Sequence, residues 1–93
     1  MNDPVVQKKV IVSLPNGLHL RPQSLIVQTA LGFDSNLTLS SGDQKVDAKS
    51  MLELMTLAAG FGAELLLEAK GADAKAAVNT ISELFESNFE EGS

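Results

Sequence analysis

The sequence predicts an α+β fold: an open-faced sandwich in which a four-stranded antiparallel sheet is covered on one face by helices. Three observations carry this reading. Glu64–Lys70 alternates, with Leu65, Leu67 and Ala69 on one side and Glu64, Glu68 and Lys70 on the other. That is the pattern of a strand with one wet face, the mark of an antiparallel sheet. Two other segments, Leu20–Leu31 and the last quarter of the chain, space their apolar residues as helices do. Turn residues separate the segments into the order β-α-β-β-α-β-α. A chain of 93 residues has room for one domain, taken as 1–93.

Each element has its own signal. Lys9–Val12 is short, β-branched and stopped by Leu14-Pro15-Asn16-Gly17, so it reads as a strand running into a loop. From Leu20 to Leu31, Pro22 sits near the front, where a helix accepts it, and Gly32 follows the end as a C-cap would. Ile26 and Ala30, with Val27 and Phe33, give this helix one apolar side. Asn36–Ser40 alternates with Leu37 and Leu39 inward. Ser41-Gly42-Asp43 turns the chain, and Gln44–Asp47 returns as the second strand of a hairpin. Ser50–Ala58 is a short helix. Ser50 and Glu53 have capping-box spacing at its start, and Gly60 and Gly62 break it. Gly71-Ala72-Asp73 caps a last helix whose Val78, Ile81, Phe85 and Phe89 fall at i, i+3, i+7 and i+11, with Leu84 beside them. The polar ends, the first few residues and Glu90-Glu91-Gly92-Ser93, are expected to fray.

Composition excludes several functions. The net charge is −5, which leaves no basic footprint for nucleic acid, and the aromatics are four Phe with no Trp or Tyr to stack bases on. No run approaches the ~18–20 apolar residues of a membrane span, and no segment resembles a signal peptide. Without cysteine there are no disulfides, thiolate metal sites or thiol nucleophiles. One histidine and no carboxylate cluster of EF-hand spacing make metal sites poor candidates. The expectation is an acidic, cytoplasmic protein, without metal, cofactor, nucleic-acid partner or membrane insertion.

The only histidine, His19, follows a glycine turn and lies at or next to the N-cap of the first helix. The first four N–H groups of a helix lack internal partners and carry partial positive charge. An anion is favoured there. Arg21 adds a permanent cation whose forked donors suit phosphate. A neutral imidazole is a nucleophile, and the positive features beside it stabilise an anionic group once the ring holds one. Position and charge therefore suit reversible phosphoryl transfer through His19. The bland alternative is a surface or capping histidine beside an arginine.

Gly17-Leu18-His19-Leu20-Arg21-Pro22 resembles the G-[LM]-H-A-R-P motif of the HPr family, the histidine-containing phosphocarriers of the bacterial phosphotransferase system. Val27-Gln28-Thr29-Ala30, Lys49-Ser50-Met51-Leu52, Gly62-Ala63-Glu64, Gly71-Ala72-Asp73 and Ala77 extend the resemblance over roughly Val5 to Glu91. It implies that His19 accepts a phosphoryl group on Nδ1 from phosphorylated enzyme I, which took it from phosphoenolpyruvate. The group then passes to an enzyme IIA domain. It further implies that Arg21 assists, that Pro22 shapes the first turn, and that Asn16 and Gly17 shape the loop. Leu20 stands where the family usually has Ala, and Gln23 where it has a small residue. Both are expected to bear on partner docking, as are Met51, Leu52 and Met55, for which core and docking readings stand level. Ser50 matches the family's regulatory serine, a substrate of HPr kinase/phosphorylase. It also has a purely structural reading as an N-cap.

Leu84–Glu91 resembles the end of the nitrogen-related paralogue, whereas Lys49–Gly62 resembles the sugar-type protein. Sugar uptake or its regulation is one reading. A regulatory module of the nitrogen-related chain, acting mainly by protein binding, is the other. The resemblance implies a carrier component rather than a stand-alone enzyme, and a monomer is expected. An acyl carrier protein is disfavoured, because Lys49 stands where Asp would precede its serine and because Glu64–Lys70 reads as strand.

Overall fold

The computed structural model describes residues 3–90; the expectation that the chain ends fray falls, for 1–2 and 91–93, outside the described residues. The elements are β1 (Val5–Ile11), α1 (Leu20–Ala30), β2 (Asn36–Ser41), β3 (Gln44–Asp47), α2 (Met51–Met55), β4 (Glu64–Lys70) and α3 (Ala74–Glu86). This is the expected order, and the strands form one antiparallel sheet in the order β1-β4-β2-β3. The last strand in sequence thus sits between the first two. Register places inward residues opposite one another: Val10 faces Leu65, Leu37 faces Ala69, and Leu39 lies between Leu67 and Val46. A slip of one residue would turn each row to solvent, so burial of this face fixes the register.

All of these inward side chains are buried, and they pack with Ile26 and Ala30 of α1, Leu54 of α2, and Val78, Ile81 and Phe85 of α3. The opposite face of the sheet is left open and carries the ion pairs Lys9–Glu64 (3.8 Å) and Lys45–Glu68 (3.3 Å). Exposed pairs of this kind contribute little to stability.

Four local findings refine the sequence reading. First, β1 begins at Val5, four residues before the β-branched run Lys9–Val12 that marks it in the sequence. Lys8 occupies an inward-facing register position and reaches past the sheet edge to α3. Its Nζ donates to Glu86 Oε2 (3.1 Å) and Ser82 Oγ (3.4 Å). A lysine at that position hides the strand period.

Second, α2 ends at Met55, well before the glycines. Gln44 of β3 supplies the reason. Its amide donates to the Thr56 carbonyl (2.7 Å) and accepts from the Ala58 N–H (3.2 Å), so these groups leave the helical ladder. Ser50 does cap α2, its Oγ accepting from the Glu53 N–H at 3.2 Å. The capping box is only half made, because Glu53 accepts the Asp47 N–H (2.9 Å) rather than that of Ser50.

Third, Asp73 occupies the N-cap of α3 without capping it through its side chain. The carboxylate instead accepts the Asp34 and Ser35 N–H groups (2.9 and 3.0 Å) and the Ser35 hydroxyl. The Ser35 hydroxyl first, and then the Asp34 N–H, hold this carboxyl below its usual range.

Fourth, Phe89 is buried as its spacing suggests, yet it is not helical. After Glu86 the chain turns through left-handed backbone at Asn88 (φ 55°) and Phe89 (φ 59°). The Phe89 N–H reaches Leu84 O (2.8 Å) and the Asn88 N–H reaches Phe85 O (3.2 Å), which together form a Schellman C-cap. The turn folds the Phe89 ring edge-on against Phe85, with centroids 5.0 Å apart.

Candidate functional site

The site is a loop between β1 and α1, and its shape follows from one close approach. Gly17 has φ +72°, and a Cβ there would lie 2.7 Å from Ala59 O and 2.9 Å from Gly60 Cα. Only glycine allows both the left-handed backbone and this contact. With it in place, the Leu18 N–H donates to Ala59 O (2.9 Å) and the His19 N–H to Gly17 O (3.0 Å). The Leu18 side chain is buried beneath the loop. The loop after α2 thereby anchors the loop before α1.

His19 is the N-cap of α1, with extended backbone (φ −89°, ψ −169°). Its ring makes no capping hydrogen bond and is exposed. The first helical bond runs from the Gln23 N–H to His19 O (3.1 Å), and Pro22, inside that turn, has no N–H to satisfy. The imidazole therefore stands at the positive end of the helix without being spent on the helix itself. Arg21, one turn position away, sends Nη1 to Phe89 O at 3.1 Å, so the Schellman turn at the far end of the chain holds the site's guanidinium.

The remaining sequence-predicted residues divide clearly. Asn16 is exposed and Gly17 buried in the loop, and Pro22 is buried in the first turn of α1. Leu20, Leu52 and Met55 are 64%, 78% and 56% exposed; Met51 is half-buried and Leu54 is core. In α2, Leu52 and Met55 thus point outward and are not part of the core. Gln23, expected on the docking surface, is instead buried (8% exposed). Its amide turns inward and donates to Leu18 O at 2.7 Å, because that carbonyl lies beneath the first turn and needs a donor. Ser50 lies half-buried at the front of α2.

Sequence reasoning missed two features. Phe61 is 70% exposed, two residues after the Ala59 carbonyl that anchors the site. A single Phe among glycines gives no periodic signal. The Arg21–Phe89 contact joins opposite ends of the chain, and its only trace in the sequence is Phe89 at the end of the last apolar stripe. Among the described residues, no helix is long and apolar enough to cross a membrane.

Comparison with known proteins places this fold and loop in a class. The family model described as the PTS HPr component phosphorylation site matches residues 6–87. The phosphocarrier protein HPr of Treponema pallidum is 45% identical over 87 residues, 94% of this chain and 99% of its own length. The HPr-like protein Crh of Bacillus subtilis is 42% identical over 78 residues, 84% of this chain and 92% of its own. A crystal structure of HPr from Thermoanaerobacter tengcongensis superposes with a TM-score of 0.88 at 34% identity, covering 95% of this chain and 99% of that one. The chain belongs to the HPr family of phosphocarriers of the phosphotransferase system.

Proposed function

We propose that this chain carries a phosphoryl group on Nδ1 of His19, taking it from phosphorylated enzyme I and giving it to enzyme IIA domains. The observation that carries the reading is an exposed imidazole at the N-cap of α1, making no capping bond, on a backbone hydrogen-bonded on both sides. In the proposed step the ring nitrogen attacks phosphorus. An N–P bond forms as the donor's bond to phosphorus breaks, and the electron pair of that bond leaves with enzyme I. The helix front and the Arg21 guanidinium stabilise the charge on the phosphoryl oxygens. The reverse sequence hands the group on.

Two partners must reach one ring in turn, which requires exposure and transient contacts. Leu20, Leu52 and Met55 supply an exposed apolar surface for them, adaptable where it is Met. We assign the working form as a cytoplasmic monomer.

Regulation at Ser50 by HPr kinase/phosphorylase belongs to the same proposal. A phosphate on its Oγ would sit at the front of α2, two residues before exposed Leu52, adding negative charge to the docking surface.

The test supplies the protein with phosphoenolpyruvate, Mg²⁺ and either a sugar-type or a nitrogen-related enzyme I. Transfer from the sugar-type enzyme supports sugar uptake or its regulation. Transfer from the nitrogen-related enzyme alone supports the regulatory chain. Transfer from neither contradicts the carrier reading.

A further inference from the structure

We infer that Gln23 is a positioning residue for His19, an inference that rests on His19 being the phosphoryl acceptor. Gln23 is the fourth residue of α1 and engages both sides of the histidine. Its backbone N–H donates to His19 O (3.1 Å), and its side-chain Nε2 donates to Leu18 O (2.7 Å). These carbonyls belong to the two peptide units that flank the His19 Cα. The Leu18–His19 unit is also held from its other side, its His19 N–H donating to Gly17 O (3.0 Å), and the Leu18 N–H of the preceding unit donates to Ala59 O (2.9 Å). Every backbone polar group from the Leu18 N–H to the His19 carbonyl is therefore hydrogen-bonded, and Gln23 supplies two of the four bonds.

The His19 side chain does not share in this network. With the ring unanchored, the backbone alone determines which volume it sweeps. Transfer of a phosphoryl group needs the ring nitrogen in line with phosphorus, and a displacement of about 1 Å at a reacting atom can cost on the order of a hundredfold in rate. Removing the Gln23 amide frees one of the two carbonyls and lets the Leu18–His19 peptide rotate. Burial also separates this role from docking, since a side chain 8% exposed presents almost nothing to a partner. Gln23 thus acts through His19 and touches neither enzyme.

The experiment compares Gln23→Met, which keeps chain length and volume but cannot donate, with the wild-type full chain. The rate of phosphoryl acceptance from phosphorylated enzyme I is measured as its concentration is varied, and hydrogen exchange of the Leu18 and His19 amides is followed by NMR. The expected result is turnover lowered about tenfold, KM within about twofold of wild type, and faster exchange at those two amides. Wild-type turnover in folded Gln23→Met, or a loss confined to KM, would overturn the inference, the latter returning Gln23 to docking. If Gln23→Met does not fold, Gln23→Ala is measured at low temperature. Unfolding of both variants would also overturn it, since the amide would then serve the fold rather than the transfer. Failure of the wild-type chain to accept phosphate defeats the His19 reading; normal wild-type acceptance with an unaffected variant defeats only this one.

Discussion

Gly17→Ala probes the contact that shapes the site, and its cost follows from the coordinates. A Cβ residue at φ +72° costs about 1 kcal/mol for left-handed backbone. The new Cβ would also lie 2.7 Å from Ala59 O and 2.9 Å from Gly60 Cα, backbone atoms that can yield only if the two loops separate. Ala59 O is the acceptor for the Leu18 N–H, so separation weakens that bond, worth about 1 kcal/mol. The sum is about 2 kcal/mol. Gly42→Ala is the matched control. Its φ is +58° and nothing lies within 4 Å of the new Cβ, so it incurs only the backbone cost of about 1 kcal/mol. For a domain of this size each kcal/mol lowers Tm by roughly 4–8 °C. Circular dichroism melts should therefore place Gly17→Ala roughly 4–8 °C below Gly42→Ala. Because the displaced segment carries His19, Gly17→Ala should also accept phosphate more slowly at temperatures where it is folded. Equal melting temperatures for the two variants would refute the close-approach argument.

Three further outcomes are expected. The Asp73 carboxyl is held below its usual value near 3.8, so its contribution is complete above the ordinary carboxylate range and is lost as pH falls through the lowered folded value. Asp73→Asn should be less stable than wild type at pH 7, with the gap in Tm closing on acidification; a gap that is constant with pH would contradict this. Leu52→Asp, at an exposed position, should leave Tm unchanged and raise KM for enzyme I, whereas Leu54→Ala, in the core, should cost about 2–5 kcal/mol in chemical denaturation. Ser50→Ala should cost about 1 kcal/mol as a lost cap. Ser50→Asp, which can still cap, should keep stability but raise KM for enzyme I, and an unchanged KM would leave Ser50 as a cap alone.

Much of the fold was legible because period and burial agree. β4, the β2–β3 hairpin and α1 each show a clean period, and the structure buries Leu65, Leu67, Ala69, Leu37, Leu39, Ile26 and Ala30, with Val27 and Phe33 half-buried beside them. Legibility failed where a polar side chain ties one element to another. Lys8 reaches α3 from the sheet and hides the first half of β1. Gln23 reads as a surface residue because the sequence cannot show that a carbonyl beneath the first turn needs a donor. Insertion of β4 between β1 and β2 joins segments more than fifty residues apart, beyond the reach of any local pattern. At the site, His19 and Arg21 were readable from the glycine turn and the helix front. The grip of the Phe89 carbonyl on Arg21 was not, since it depends on a left-handed turn at the opposite end of the chain.

Phosphoryl transfer to His19 is read out by ³¹P and ¹⁵N NMR of the protein after incubation with enzyme I, Mg²⁺ and phosphoenolpyruvate. A single acid-labile phosphate is expected, bonded to Nδ1 of His19, discharged on adding an enzyme IIA domain and absent from His19→Ala. A phosphate on any other residue, or one that persists in His19→Ala, would contradict it.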